Sequence, residues 1–365
     1  MNGEGLAKNM TVIVQIDQIT PAWLTDVLTI SGALESGEVE SFEMGTGMRL
    51  LSTNARLTLT YTSDSRGQMP KKLFLKMVDI DQDDEFFGPS EVFYYIRDYV
   101  GVWDAPLIRH YDAEYDAEQG RYHILMDDVS ETHTEAKNKT PTLEYGFALA
   151  DGLAAMHARW WGRDRLGDAP IPSPAAIRRF VSIAEPGAGH ILANVADQLE
   201  PHWPETIRAL YQYHPQLLID RTRKGEGFTL IHGDANWNNI LVPINGERPI
   251  YIIDRQPFDW SLTTWLGVYD LAYAMGMDWE IDIRRALEEA VLRRYHEGLM
   301  AHGVSDYSWE QLFEDYRLMM CMNVYVATEW CRGQFNADTM PSWMPMLRNA
   351  MTAVDDLDCR AFWSM

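Results

Sequence analysis

One segment constrains this 365-residue chain more than any other: Leu230-Ile231-His232-Gly233-Asp234-Ala235-Asn236-Trp237-Asn238-Asn239-Ile240-Leu241-Val242. An apolar run leads in, a polar loop follows and an apolar run leads out, so His-Gly-Asp-x-x-x-x-Asn is predicted to sit on a loop between two strands. Four fixed residues at this spacing arise by chance in roughly one in 400 chains of this length. A second signal follows Asn239 at a short distance, where Ile252-Ile253-Asp254 ends an apolar run in a carboxylate. Asp234, Asn239 and Asp254 can converge from two adjacent strand ends. Phosphoryl transfer needs such a set: one carboxylate orients or deprotonates the attacking hydroxyl, while an amide and a second carboxylate hold Mg²⁺ on the phosphates.

The rest of the chain divides into two characters. Thr20-Pro21 opens a short helix that Gly32 ends. Short β-prone runs follow at Val39–Met44, Arg56–Tyr61 and Leu73–Val78, with a turn-like stretch from Ser63 to Pro70. Ser90 can cap a helix through Val100, and two more strands are predicted near Leu107–Tyr111 and Tyr122–Met126. From Thr140-Pro141 a long helical pattern runs through Trp161, and helices dominate to the end. Short extended pieces interrupt them at Thr229–Ile231, Ile240–Val242 and Tyr251–Ile253. Residues 162–175 are Gly/Pro-rich and read as a loop within the second part.

On these residues the chain resembles the protein-kinase-like small-molecule phosphotransferases: aminoglycoside phosphotransferases, choline kinases and the ecdysteroid-kinase-like (CHK) group. The resemblance runs from about Phe42 to about Met275. It implies an α+β, bilobed protein-kinase-like fold. A small antiparallel-sheet N-terminal lobe with one key helix, residues 1–127, would bind nucleotide. A hinge near 126–131 would lead to a larger, mainly helical catalytic and substrate-binding lobe, residues 128–365. It implies Asp234 as the catalytic Asp and Asn239 and Asp254 as metal ligands, with His232 and Gly233 shaping the loop. ATP and Mg²⁺ are the implied cofactors.

Other residues find places by the same resemblance. Lys76, in Leu73-Phe74-Leu75-Lys76-Met77-Val78, would hold the nucleotide phosphates, and Glu91 on the following helix would orient it. Read singly, a strand Lys is a solvated residue and a helix-start Glu complements the dipole; the downstream motif shifts both readings. Gly45-Thr46-Gly47 is predicted as a turn between strands that lets backbone N–H groups approach phosphates, with Gly47, Ser52 and Thr53 carried over. Ile124-Leu125-Met126-Asp127-Asp128-Val129 resembles the hinge, where the backbone at Asp127 and Val129 would bond adenine. Asp270, in Tyr269-Asp270-Leu271-Ala272, matches a family Asp that braces the catalytic loop. His157 reads as a satisfied core histidine. Two departures stand out: Gly233 replaces the Arg of the protein-kinase His-Arg-Asp, which argues against a phospho-regulated protein kinase, and Arg255 replaces an aromatic.

Composition narrows the partners. The chain has 31 Lys+Arg against 54 Asp+Glu, a net charge of −23, which repels phosphate backbones and anionic membranes. Apolar residues make up 46 %, with 13 Trp, 17 Tyr and 12 Phe, enough to bury a large core. Cys321, Cys331 and Cys359 show no paired metal spacing and suit a reducing cytosol. No apolar run approaches a membrane span, and Met1–Asp17 holds only the short run Val12–Val14. The expectation is a cytoplasmic protein with a hydroxyl-bearing small-molecule acceptor and neither nucleic acid nor membrane as partner; the oligomeric state is left open.

The acceptor would lie between the loop and the C-terminal helices. Candidates are Trp237, Asp259, Trp260, Asp278, Trp279, Glu280, Glu329 and Trp330; taken singly, each reads more readily as a core aromatic or a solvated carboxylate. Ser308-x-x-Gln311 reads as a capping box for the helix holding Glu329. The alternatives to a CHK-like kinase are an aminoglycoside or other antibiotic O-phosphotransferase and a nucleotide-binding pseudokinase scaffold. The intact set Lys76, Glu91, Asp234, Asn239 and Asp254 argues against the last.

Overall fold

The computed structural model describes residues 12–49, 52–80, 88–166, 171–256, 258 and 260–363. It separates into two compact units: Met1–Gly101 with Leu107–His133 and Pro257–Asp259, and Val102–Pro106 with Thr134–Gln256 and Trp260–Met365.

The first unit is a sheet backed by one helix. Helix α1 (Pro21–Ile30) begins as expected, with Thr20 Oγ1 accepting from Trp23 N and Pro21 in the first turn. Strands β1 (Leu34–Ser36), β2 (Val39–Arg49), β3 (Ser52–Tyr61), β4 (Arg66–Gly67) and β5 (Lys72–Asp79) follow. Next come a short helix α2 (Ser90–Phe93), β6 (His110–Asp116) and β7 (Arg121–Asp127). The main sheet has the order β2-β3-β5-β7-β6 and is antiparallel throughout. Leu57, Leu73, Leu75 and Leu125 project from one face onto Leu24, Val27 and Leu28 of α1, and this burial forms the unit's core.

Two local expectations change here. Gly45 and Gly47 are not in a turn: both lie within β2, opposite Arg56 and Asn54. The strands connect through residues 50 and 51, which lie outside the described residues. Ser90 is the first residue of α2 rather than its cap, and after one turn the helix widens into a π-turn over Tyr94–Asp98.

The second unit is mainly helical. Its elements are β8 (His133–Glu135), α3 (Leu143–Arg159), α4 (Gly162–Leu166), α5 (Pro174–Val195), α6 (Trp203–Arg221), β9 (Phe228–Leu230), β10 (Ile240–Pro243), β11 (Tyr251–Ile252), β12 (Thr264–Leu266), α7 (Val268–Asp278), α8 (Ile281–Ala301), α9 (Trp309–Met320), α10 (Met322–Glu329) and α11 (Met340–Asp356). Two small sheets, β11-β10-β8 and β12-β9, frame the polar loop. Helix α3 starts at Leu143 because Thr142, not Thr140, caps Tyr145 N. Part of the stretch expected to be a loop is helical, as α4. Ser308 caps Gln311 N as expected, but that helix stops at Cys321 and Glu329 lies on the separate α10.

The core of this unit runs through α3, α5, α7, α8, α10 and α11. At Gly187 of α5, an added Cβ would stand 1.9 Å from the Thr328 carbonyl of α10, so this crossing requires glycine. The three cysteines are free and buried. Among the described residues no helix is long and apolar enough to cross a membrane.

Candidate active site

The polar loop from Ile231 to Asn239 leaves β9 and enters β10, as the apolar runs on either side dictate. Gly233 has φ +83°, and a Cβ there would also crowd Gln256 at 3.0 Å, which accounts for glycine beside Asp234. Asp270, in the first turn of α7, is fully buried. It accepts from His232 N at 2.7 Å and Gly233 N at 2.9 Å, and thereby takes two peptide donors that would otherwise be unpaired. Nε2 of the buried His157 lies 3.1 Å from the same carboxylate, and its Nδ1 pairs with Tyr295 OH at 2.8 Å. His157 is thus a satisfied core histidine, and Asp270 touches the loop where a bracing residue must.

His232 ties this loop to the next one. Asp234 N donates to its Nδ1 at 3.3 Å, and its Nε2 donates to Ile253 O at 2.9 Å. Those roles require the neutral ring, and burial lowers its pKa to about 4. Ile253 N in turn donates to Asn239 O at 2.9 Å. The next residue, Asp254, has φ +58°, a left-handed conformation that costs a non-glycine residue roughly 1–2 kcal/mol.

The Asp234 carboxylate is surrounded by donors. Asn236 Nδ2 at 2.8 Å and Tyr273 OH at 3.0 Å donate to Oδ1, and Asn239 Nδ2 at 2.9 Å donates to Oδ2. Burial nonetheless raises its pKa to about 6, against these hydrogen bonds. With its nitrogen engaged, Asn239 leaves Oδ1 without a partner among the described residues. An amide oxygen and the Asp254 carboxylate are hard donors of the kind Mg²⁺ takes, so these residues fit such an ion. No cluster of three His, Cys, Asp or Glu suited to a metal occurs among the described residues.

A cleft of about 220 Å³ opens beside the loop, with Lys137, Lys139, Tyr145, Trp237, Asp278 and Glu280 in its walls. Asp278 Oδ2 accepts from Trp237 N at 2.7 Å, while Oδ1 has no partner among the described residues. Burial raises this carboxyl to about 7. The other acceptor-side candidates scatter. Trp279 is buried against Tyr145, and Trp260 packs on Phe180. Glu329 pairs with Arg332 and Trp330 is exposed, both at the end of α10; among the described residues neither bonds to Asp234. Asp259 lies outside the described residues.

In the first unit Lys76 sits on the central strand β5, opposite Asn54 and Ile124. Its Nζ donates to Glu91 Oε2 at 2.6 Å, and Tyr122 OH donates to the same oxygen at 2.9 Å. Both side chains are nearly buried, at 13 % and 7 % exposure, so the pair is not a solvated one. Gly47, Ser52 and Thr53 lie near the turn end of the β2-β3 hairpin, and among the described residues nothing stands within 4 Å of where a Gly47 Cβ would be. Asp127 N is engaged by Arg109 O and the Val129 carbonyl by Thr132 and His133, so among the described residues the peptide donor left open there is Val129 N.

Asn236 and Tyr273 were not foreseen. Asn236 falls inside the motif at an unconstrained position, and Tyr273 reads as one more aromatic of a buried helix.

The fold is that of the protein-kinase-like small-molecule kinases, the class its motifs resemble. Residues 176–304 match the model of the ecdysteroid kinase-like family. A glucosamine kinase structure is similar at a TM-score of 0.55 and 13 % identity, over 93 % of this chain and 84 % of that one. Glucosamine kinase in complex with glucosamine, ADP and inorganic phosphate is similar at a TM-score of 0.52 and 11 % identity, over 95 % and 86 %. A Plasmodium vivax ethanolamine kinase follows at 0.51 and 12 %, over 89 % and 83 %. Comparison with curated protein sequences finds no match.

Proposed function

We propose that this chain is an ATP- and Mg²⁺-dependent kinase that transfers the γ-phosphate to a hydroxyl of a small molecule. The observation that carries this reading is Asp234: a half-buried carboxylate held by three side-chain donors, on a loop whose backbone is pinned by Asp270. Asp234 orients the acceptor hydroxyl and takes its proton. Asn239 Oδ1 and the Asp254 carboxylate hold Mg²⁺, which supplies charge neutralisation on the phosphates. Lys76, oriented by Glu91, grips the nucleotide phosphates. Gly47, Ser52 and Thr53 lie along them, and adenine meets the chain at Asp127 and Val129. Trp237 and Asp278 border the acceptor.

The similar structures are kinases of ethanolamine and glucosamine, so amino alcohols head the acceptors to try. The test incubates γ-labelled ATP and Mg²⁺ with ethanolamine, glucosamine, aminoglycosides, sterols and nucleosides, using wild type and Asp234→Asn. Label in a small molecule with wild type, cut about 1,000-fold in the variant, is expected. Equal labelling by both proteins removes Asp234 from the mechanism.

A further inference from the structure

We propose that Tyr273 is a positioning residue that decides which oxygen of Asp234 receives the acceptor: with Asn236 it closes Oδ1, leaving one site on Oδ2 for the incoming hydroxyl. This rests on the kinase reading above and adds a residue and a geometry to it.

An ionised carboxylate offers about four acceptor sites, two on each oxygen. On Asp234, Oδ1 takes Asn236 Nδ2 at 2.8 Å and Tyr273 OH at 3.0 Å, which fills it. Oδ2 takes Asn239 Nδ2 at 2.9 Å and has one site left. The Tyr273 phenol has no other hydrogen-bond partner among the described residues, so its proton points at Asp234. Its ring is buried at 8 % exposure and meets Tyr269 edge to face, 5.8 Å between centroids, which holds the rotamer. Tyr273 stands one turn from Asp270 on α7, so the helix that pins the His232 and Gly233 peptides also sets the carboxylate.

The consequence is stereochemical. In the transfer, the acceptor oxygen bonds to the γ-phosphorus as the bond from that phosphorus to the β–γ bridging oxygen breaks. The electron pair leaves with ADP, and the hydroxyl proton passes to Oδ2 and then to solvent. No atom is oxidised or reduced. A nucleophile on Oδ1 would approach from a different direction. Water is the nucleophile always at hand, so an open Oδ1 gives hydrolysis a second seat. Tyr273 therefore couples ATP consumption to phosphorylation of the acceptor.

The test measures ADP and phosphorylated acceptor together, with glucosamine and ethanolamine as probes and water as the competitor. Wild type is expected to yield close to one phosphorylated acceptor per ADP. Tyr273→Phe, which removes one oxygen and keeps the ring, is expected to lower that ratio at least threefold. It should lower kcat for transfer about tenfold and leave KM for ATP within twofold. Tyr269→Phe removes a neighbouring phenol that makes no bond to Asp234 and is expected to keep the ratio. A wild-type ratio in Tyr273→Phe, or an equal fall in Tyr269→Phe, overturns the proposal. If Tyr273→Phe does not fold, Asn236→Ala opens the same oxygen from its other side; an unchanged ratio there also overturns it. Wild type that phosphorylates neither probe nor any acceptor of the wider panel defeats the kinase reading itself, and this inference with it.

Discussion

His157 and Asp270 meet as a pair from which solvent is excluded on both sides, Nε2 to Oδ2 at 3.1 Å. Burial alone would raise the Asp270 carboxyl. The hydrogen bond to His157 and the Gly233 N–H outweigh it and hold the group below its ordinary range. Removing the carboxylate orphans two buried peptide donors and a histidine at once. Asp270→Ala is therefore expected to cost about 3–5 kcal/mol in urea unfolding, and Asp270→Asn clearly less. Equal stability of Asp270→Ala and wild type would mean that water replaces the carboxylate.

Lys76 donates to Glu91 from a strand centre, and Tyr122 keeps Glu91 hydrogen-bonded if the lysine is lost. Lys76→Met should thus fold, while its dissociation constant for ATP rises about tenfold or more by calorimetry. Unaltered ATP affinity would place the phosphates elsewhere.

Asp278 is raised from an ordinary 3.8 to about 7, chiefly by burial. A carboxyl with a raised folded pKa stabilises the fold at low pH and loses that contribution as pH climbs from about 4 through 7. An amide has no charge to gain. Asp278→Asn is expected to match wild type in stability near pH 4 and to exceed it above pH 7, by at most about 4 kcal/mol. A difference independent of pH would show that the carboxyl ionises as freely in the folded protein as in the unfolded chain.

His214 acts in the opposite sense. It is fully buried between Tyr325 OH and Leu318 O, each at 3.0 Å, and burial lowers its pKa from 6.5 to about 4. The unfolded chain binds the proton first, so stability present above pH 6.5 declines as pH falls towards 4, by about 3 kcal/mol. His214→Gln should flatten that decline in melting curves recorded from pH 7 to 4.5. A variant as acid-sensitive as wild type would assign the loss to other groups, His232 first among them.

Where sequence reasoning succeeded, the physics was local. Thr20 before Pro21, and Ser308 three residues before Gln311, are caps that need only near neighbours. The apolar runs around His232–Asn239 form strands because both of their ends are marked. Local signals also misled. Gly45 and Gly47 have turn chemistry, yet a strand tolerates them where no Cβ neighbour is needed. The break at Cys321 carries no Gly or Pro to announce it. Tyr273 was out of reach for a different reason. Its sequence context is that of core aromatics, and only the docking of α7 beneath the loop brings its hydroxyl to Asp234.

Helix α7 meets the loop at three heights: Asp270 at residues 232 and 233, Tyr273 at 234, and Asp278 at 237. Contacts made from one rigid rod cannot be retuned singly, because a tilt or a shift in register disturbs all three together. Opposite Asp278, the cleft wall from Lys137 to Thr140 is surface-exposed chain tied down by its two lysines: Lys137 donates from N to Trp237 O at 3.2 Å and from Nζ to Asn238 Oδ1 at 2.9 Å, and Lys139 Nζ donates to Pro243 O and Ile244 O. Mutational drift is therefore unevenly permitted around one small cavity. Successful variants should accumulate at the exposed Asn138 and Thr140 of that wall, while the loop-facing residues of α7 stay as they are.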